Sequence, residues 1–406
     1  MESVLEKARQ HDGRSQWNKS IFHESRKRMK KKEMKKRIVV GLLIILGTAL
    51  WANHYEKPEL VSKEGQTYEK AVVKQIVKDN LEEDGNRYGD QTVVLEIKSG
   101  ELKGKEVEAN SPDGNLFGAV CREGMRVIAI VSKSGDQITT TVYSQDRSLA
   151  IYGFLLIFVL FICLIGGKKG IKAVVSLAFT VVILICILFP LVYRGYSPFL
   201  VTVVLCGIAT VFTLVVVGGL NAKTLAAITG TVVGVIAAGV SASLFGAAAG
   251  ISGYNVSEIE SLNFVAQNSP LKIGQLLFAG ILISSLGAVM DVGMSISSTI
   301  QEIHEKNSSL GMKELFMSGI HVGRDMMGTM SNTLILAFVG GSLIDLLLDY
   351  AYDLSYNQLI NSYNIGIEVM QGIAGSLGVV LTVPVTSYLA ALLISHSKKA
   401  NQDITE

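Results

Sequence analysis

The chain has 406 residues, of which 49% are hydrophobic and only 18% charged, with a mean hydropathy of +0.40. That balance excludes an ordinary soluble protein of this length and fits a chain that crosses a membrane several times. The net charge of +2 excludes little, because the basic excess is concentrated in one run, Arg26 to Arg37, directly before an apolar segment; such a run is a cytoplasmic membrane anchor more readily than a nucleic-acid patch.

About 20 helical residues cross the roughly 30 Å of bilayer hydrocarbon. Apolar stretches of that size lie near residues 37–55, 147–166, 172–193, 198–218, 223–249, 271–298, 317–348 and 365–395. The expected fold is therefore all-α and polytopic, with about eight transmembrane helices. Between Ala173 and Val256 the charged side chains are Arg194 and Lys223 alone, a dearth that water would not tolerate. The predicted organisation is a basic cytoplasmic segment 1–36, an anchor 37–55, an external β domain 56–146, a seven-helix membrane domain 147–396 and a cytoplasmic tail 397–406. The anchor is read as retained, since its charged lead is long and "LWA" before Asn53 is a poor small-x-small cleavage site. Lysine and arginine resist translocation, and Lys168, Lys169, Lys172, Lys223, Lys306, Lys313, Lys398 and Lys399 fall in the inner connections when both termini are cytoplasmic.

Within the polar domain, "KAVVKQIV", "QTVVLEIKS", "KEVEAN", "RVIAIVSKS" and "QITTTVYSQ" alternate like strands, with Ser99-Gly100, Gly104 and Ser134-Gly135-Asp136 as turns. Five short strands predict a small external barrel of OB type between the first two spans. Its aromatics, Tyr68, Tyr88, Phe117 and Tyr143, are too few for a nucleic-acid stacking platform, so no nucleic-acid partner is expected. Cys163, Cys186 and Cys206 fall in apolar segments and Cys121 stands apart, so the polar domain holds no disulfide pair. Further on, Asn255 followed by Glu258 has the spacing of a capping box, and the external loop there is either the start of a short surface helix or a plain re-entry loop.

Charged groups appear inside the last three apolar segments. Ser284, Gly287, Asp291, Ser295 and Ser298 share one helical face in the sixth. In the seventh, His321, Asp325, Thr329 and Asn332 share a face, with Arg324, Gly328 and Ser331 on the neighbouring one; in the eighth, Glu368, Gln371, Gly375, Gly378 and Thr382 form a stripe. A charge at mid-membrane costs at least about 2.5 kcal/mol, so these stripes are expected to face one another or a wet cavity. Asp291 and Arg324, each about 10 Å from the cytoplasmic end by helical rise, are the expected ion pair. That pair serves either as a structural clip between two helices or as part of an ion site. Asp325 is then bridged by the same arginine or carries a proton, and Glu368 either snorkels outward or belongs to the pathway.

Enzyme signatures fail. "GGLNAKT" at Gly218 to Thr224 lacks the glycine before lysine that a phosphate loop needs, and no zinc or serine-nucleophile motif occurs. An aspartyl protease built on Asp291 and Asp325 would need a carboxyl pair sharing a proton, which Arg324 opposes. No catalytic residue, cofactor or metal is expected.

Three segments, "SSLGAVMDVGMSISSTIQEI", "SGIHVGRDMMGTMSNTLILAFVGGSL" and "GIAGSLGVVLTVPVTSYLAALL", in this order resemble the YibE/F family of bacterial multi-pass membrane proteins. The resemblance extends over most of the chain from the polar domain to the eighth span. It implies a bacterial cytoplasmic membrane and a polytopic fold, and supplies no substrate. The positions that match its motifs are Asp291, Arg324, Asp325, Asn332 and Thr333.

The resulting expectation is a secondary transporter or permease driven by an ion gradient, moving an unknown small solute or ion across the lipid bilayer, with self-association into a homo-oligomer compatible with it. Asp291 is expected to hold a cation or proton, Arg324 to be its counter-ion, and Asn332 and Gln371 to bond substrate, with Glu368 in the same site. The competing expectation is a membrane-anchored sensor or scaffold whose external domain binds a ligand or an envelope partner.

Overall fold

The structure is a computed structural model, and it describes residues 45–55, 57–112, 118–135, 137–256 and 258–402. The basic segment 1–36, the first part of the anchor (37–44), Phe117 and the last four residues of the tail lie outside the described residues. Two compact units emerge, Glu59–Val174 and the rest of the described chain.

Strands β1 (Gln66–Lys78), β2 (Gln91–Ile97), β3 (Glu106–Ser111), β4 (Arg126–Ser134) and β5 (Gln137–Gln145) close into a barrel in the order β1-β2-β3-β5-β4. Each expected strand is present. The strand order, with β3 beside β5 in parallel and β1 closing on β4, is the Greek-key order of OB-type barrels. Closure works because β1 is long enough to serve two neighbours. Gln66–Val72 pair with β4, Ala71–Lys78 pair with β2, and register shifts after Val73 and Ile76 bend the strand between them. Alternation selects the core: in β2 Val93, Leu95 and Ile97 point inward and are fully buried, as are Val127 and Ala129 of β4.

After the barrel, α1 (Ser148–Ile183) continues through a π-helical turn (Leu184–Leu188) into α2 (Phe189–Tyr193). These 46 residues would reach about 69 Å if straight, more than twice the bilayer core. They are not straight. Gly167 has φ 53° and ψ −131°, and a Cβ on Gly170 would collide with the carbonyl of Ile162, eight residues back, so the chain reverses sharply between two apolar segments. The reversal coincides with the expected boundary between the second and third spans.

The second unit contains α3 (Pro198–Gly218), α4 (Ala222–Ala249), the short α5 (Ile259–Gln267), α6 (Leu276–Lys306), α7 (Met312–Gly341), α8 (Leu343–Ala351), α9 (Tyr356–Ile360) and α10 (Tyr363–Gln402). Five helices are long and apolar enough to cross a membrane, and a sixth is obtained if α7 and α8, bent by 60°, count together. Local chemistry fixes the ends. Ser197 Oγ accepts from Leu200 N with Pro198 at the first helical position of α3, and Asn221 Oδ1 accepts from Thr224 N at the start of α4. "GGLNAKT" is thus a helix cap. Asn255 does not cap α5: its Oδ1 accepts from Ser252 N and Oγ, tying off a turn, and the helix starts at Ile259.

Residues 45–53 are helical and dock on the end of α2. Asn53 Nδ2 donates to Cys186 O at 2.7 Å, Arg194 Nη1 donates to Trp51 O at 2.9 Å, and the Arg194 guanidinium lies 4.2 Å over the Trp51 ring. Arg194, one of the two cations between Ala173 and Val256, therefore clips the helix 45–53 at its end.

Candidate functional site

α10 is the hub of the second unit, and two glycine pairs let its neighbours approach. On α4, side chains at Gly230 and Gly234 would collide with the hydroxyls of Thr386 and Thr382; in return a Cβ on Gly378 would stand 2.7 Å from the Gly234 carbonyl oxygen. On α7, a Cβ on Gly319 would stand 2.6 Å from Ser387 Oγ, and one on Gly323 would collide with Val383. Both pairs are four residues apart, the spacing that aligns two notches on one helical face and permits backbone contact in lipid. α6 fills the remaining side with Val289, Val292, Ile296 and Ile300, all fully buried.

The expected stripe of α10 does face inward at Gly375, Gly378 and Thr382, and Thr382 Oγ1 donates to Gly378 O at 2.8 Å. Glu368 and Gln371 are half-buried on the same helix, and Glu368 Oε2 is enclosed without a hydrogen-bond partner.

The stripes of α6 and α7 turn the other way. On α6, Gly280, Ser284, Gly287 and Asp291 are exposed, opposite the buried Ser285, Val289, Val292 and Ile296. On α7 the buried residues are Leu315, Gly319, Gly323 and Leu334, whereas His321, Arg324, Asp325, Gly328, Asn332 and Thr333 are exposed. Hydroxyls along both helices satisfy themselves on their own backbone: Ser284 Oγ donates to Ile281 O, Thr329 Oγ1 to Asp325 O and Thr333 Oγ1 to Thr329 O. Asp291, Arg324, Asp325 and Asn332 have no such recourse, and among the described residues their side chains make no hydrogen bond or ion pair.

The expected ion pair between Asp291 and Arg324 is therefore not formed within the described chain. Along the helices, Asp291 is the middle residue of α6, about 22 Å from Lys306 at 1.5 Å per residue, and Arg324 and Asp325 lie just before the midpoint of α7, which falls between Met326 and Met327. α6 continues past its apolar stretch through Glu302 and Glu305, so the helix midpoint does not move Asp291 within the apolar part.

The structure also makes prominent residues that the sequence stripes passed over. Thr231, Thr386 and Ser387 are fully buried beside the glycine seams, each with an unpartnered hydroxyl, and "GTVVG" and "GIHVG" are their sequence signal. His304 is 6% exposed with neither ring nitrogen bonded; its spacing of four from buried Ile300 marks the inward face.

In the barrel, the loop after β1 is held by side chains. Arg87 Nη1 donates to Asp79 Oδ1 at 2.6 Å, Gln91 Nε2 donates to the same oxygen at 2.8 Å, and Gln91 Oε1 accepts from Cys121 N at 2.7 Å. The Gln91 amide, and then the Arg87 guanidinium, hold the Asp79 carboxyl below the usual carboxylate range, while burial pushes the Cys121 thiol up. No group of three or more metal-ligating side chains occurs among the described residues.

Neither a curated protein nor a solved structure matches the chain. The family model described as YibE/F-like protein matches residues 154–396, beginning just inside α1 and ending in α10. The barrel lies outside the match, so the likeness is narrower than the sequence segments suggested. It takes in the glycine seams and the charged faces of α6 and α7 alike, and the chain belongs to the YibE/F-like family.

Proposed function

We propose that the chain is a secondary carrier of the bacterial cytoplasmic membrane, driven by an ion gradient, with its pathway along the exposed face of α6 and α7. The observation that carries this reading is an aspartate inside the apolar part of the 31-residue α6, facing outward with no partner among the described residues. An unpaired charge at that depth is retained against its cost only when it serves a wet surface or a permeating ion. The face offers what such a path requires: small residues at Gly280, Ser284 and Gly287, a carboxylate at Asp291, and amide and hydroxyl groups at Asn332 and Thr333 on the neighbouring helix. Asp291 takes the cation or proton. Gln371 and Glu368, half-buried on α10, belong to the inner wall. No catalytic chemistry is assigned.

The topology belonging to this reading has eight crossings: the anchor, the two arms meeting at Gly167, α3, α4, α6, α7 and α10, with both termini cytoplasmic. α7 alone, at 30 residues or about 45 Å, is long enough to cross. α8 then lies along the surface, with exposed Leu343, Ile344 and Leu347 toward lipid and Tyr350 and Tyr352 at the interface.

Proton uptake by proteoliposomes under an imposed pH gradient, read with an internal dye, tests the reading together with melting of the same preparations. Asp291→Asn is expected to cut uptake about tenfold or more while leaving the melting temperature at or above the parent's, as removal of an unpaired charge should. A variant that melts well below the parent with unchanged uptake would make Asp291 structural, and a parent that takes up no protons would end the reading of a proton-coupled carrier. A sensor whose barrel receives the ligand is the second reading, favoured by the barrel's separate core. Deleting residues 57–146 abolishes the response of a sensor and spares the flux of a carrier.

A further inference from the structure

The geometry points to α7 as the seam between two copies of this chain, paired about a two-fold axis along the membrane normal, with Arg324 of each copy bonded to Asp325 of the other.

The exposed face of α7 is patterned for a helix partner. His321, Gly328 and Ile335 are exposed at seven-residue intervals, the repeat that keeps one line of a helix against a parallel neighbour. A Cβ on Gly328 would have nothing within 4 Å, so the notch at the centre of that line is open. The same device, a glycine notch, is filled by α10 at Gly319 and Gly323 of this helix.

Charge selects the partner. Arg324 and Asp325 are consecutive, so they stand about 100° apart around the helix and flank the His321–Gly328 line on opposite sides. Two copies inserted in the same direction bring the two helices together in parallel, each residue at the depth of its counterpart. A two-fold axis then places the left flank of one helix beside the right flank of the other, as it does for the flanking positions of a parallel coiled coil. Arg324 meets Asp325 of the second copy, and the pair occurs twice. Both side chains are exposed and unpaired within the described chain, so this satisfies two charges of α7 that one copy leaves bare. A lipid tail satisfies neither, and a partner of one sign satisfies only half. The pairing needs α7 to cross the membrane, and because Asn332 stands on the Asp325 flank of the same line, the seam borders the proposed pathway.

The test uses full-length protein carrying two different affinity tags, co-expressed and co-purified in mild detergent. Arg324→Asp alone and Asp325→Arg alone each set like charges against one another, and each is expected to lose self-association. Co-expressing the Arg324→Asp copy with the Asp325→Arg copy restores two opposite pairs and is expected to recover the mixed dimer, as is the double exchange within one chain. A complementary readout needs no charge change: with the four natural cysteines replaced, His321→Cys and Ile335→Cys should cross-link between copies in native membranes, whereas Leu377→Cys on the outward face of α10 should not. Monomers throughout, a dimer indifferent to the charge pattern, or cross-linking from position 377 but not from 321 and 335 would each overturn the proposal. Because these readouts ignore flux, a failed dimer with intact proton uptake removes this inference alone, and an intact dimer without uptake removes the carrier alone.

Discussion

The barrel and the helical unit solve the same packing problem with opposite residues. In the barrel, large side chains go inside: Val93, Leu95, Ile97 and Val127 are fully buried, and the outer surface carries ion pairs such as Lys74 with Glu96 at 2.7 Å. In the helical unit, large side chains also cover the outside. Leu200, Leu225 and Leu244 are 63%, 54% and 67% exposed, and the close seam between α4 and α10 is lined by glycine, alanine and threonine. Water rewards hiding bulk, whereas a bilayer offers large apolar groups no gain on burial, leaving close backbone contact and hydroxyl bonding to hold helices together. The outward faces of α6 and α7 obey neither rule, which is why function is assigned there.

The sharpest way to break the comparison is to add bulk where the helical unit forbids it. At Gly234 a Cβ would collide with Thr382 Oγ1 and stand 2.8 Å from the Gly378 carbonyl oxygen and 2.7 Å from Val289 Cγ1. Backbone cannot retreat as a side chain can, so Gly234→Leu is expected to destabilise by about 3 kcal/mol or more. Size-exclusion chromatography in detergent should show loss of the folded peak. By contrast, Leu377→Ala on the outward face of α10 should leave the peak intact, and equal damage from both would mean that the lipid-facing and packed faces have been assigned the wrong way round.

How far the sequence carries depends on which solvent wrote the pattern. All five strands could be read, two of them (Arg126–Ser134 and Gln137–Gln145) to the residue, because strict alternation against water leaves one register that buries Val127, Ala129 and Val131. Helix existence in the second unit was legible for the same reason that length was: hydrocarbon thickness sets a minimum. Helix ends were not. α6 runs to Lys306 and α7 begins at Met312, beyond the apolar stretches, because helical hydrogen bonding continues into polar sequence that hydropathy ignores. Stripe direction was least legible. Helical spacing puts Asp291 on one line with Ser284 and His321 on one with Asp325, yet spacing says only that residues share a face, and nothing in it says whether that face meets a neighbour within the chain. The inward sense of the α10 stripe follows from the notches at Gly230 and Gly234 that receive it.

A smaller effect sharpens the barrel side of the comparison. Gln91 is 1% exposed and is the one polar side chain of β2 that points into the barrel, where it bonds Asp79 and the Cys121 backbone amide. Gln91→Leu keeps the volume and strands that amide, at a cost of about 1–3 kcal/mol. Labelling of Cys121 by a water-soluble maleimide, followed at the level of the peptide, should accelerate as the barrel opens more often. An unchanged rate would mean the barrel core tolerates an orphaned donor as readily as an apolar one.

The smallest effect is a pH dependence confined to acid. Asp79 has its carboxyl lowered by Gln91 and Arg87, and a group whose folded value is depressed stabilises the fold above its unfolded value, about 3.9 for aspartate. That stabilisation is complete at neutral pH and disappears as pH falls through the lowered folded value. Its size is limited because the Asp79 side chain is 43% exposed and the pair with Arg87 is screened by water and salt. The gap in melting temperature between the parent and Asp79→Asn should therefore be small and constant from pH 8 down to about 5, then close below about 4. A gap that stays open below about pH 4 would mean that the charge on the Asp79 carboxyl does not stabilise the loop.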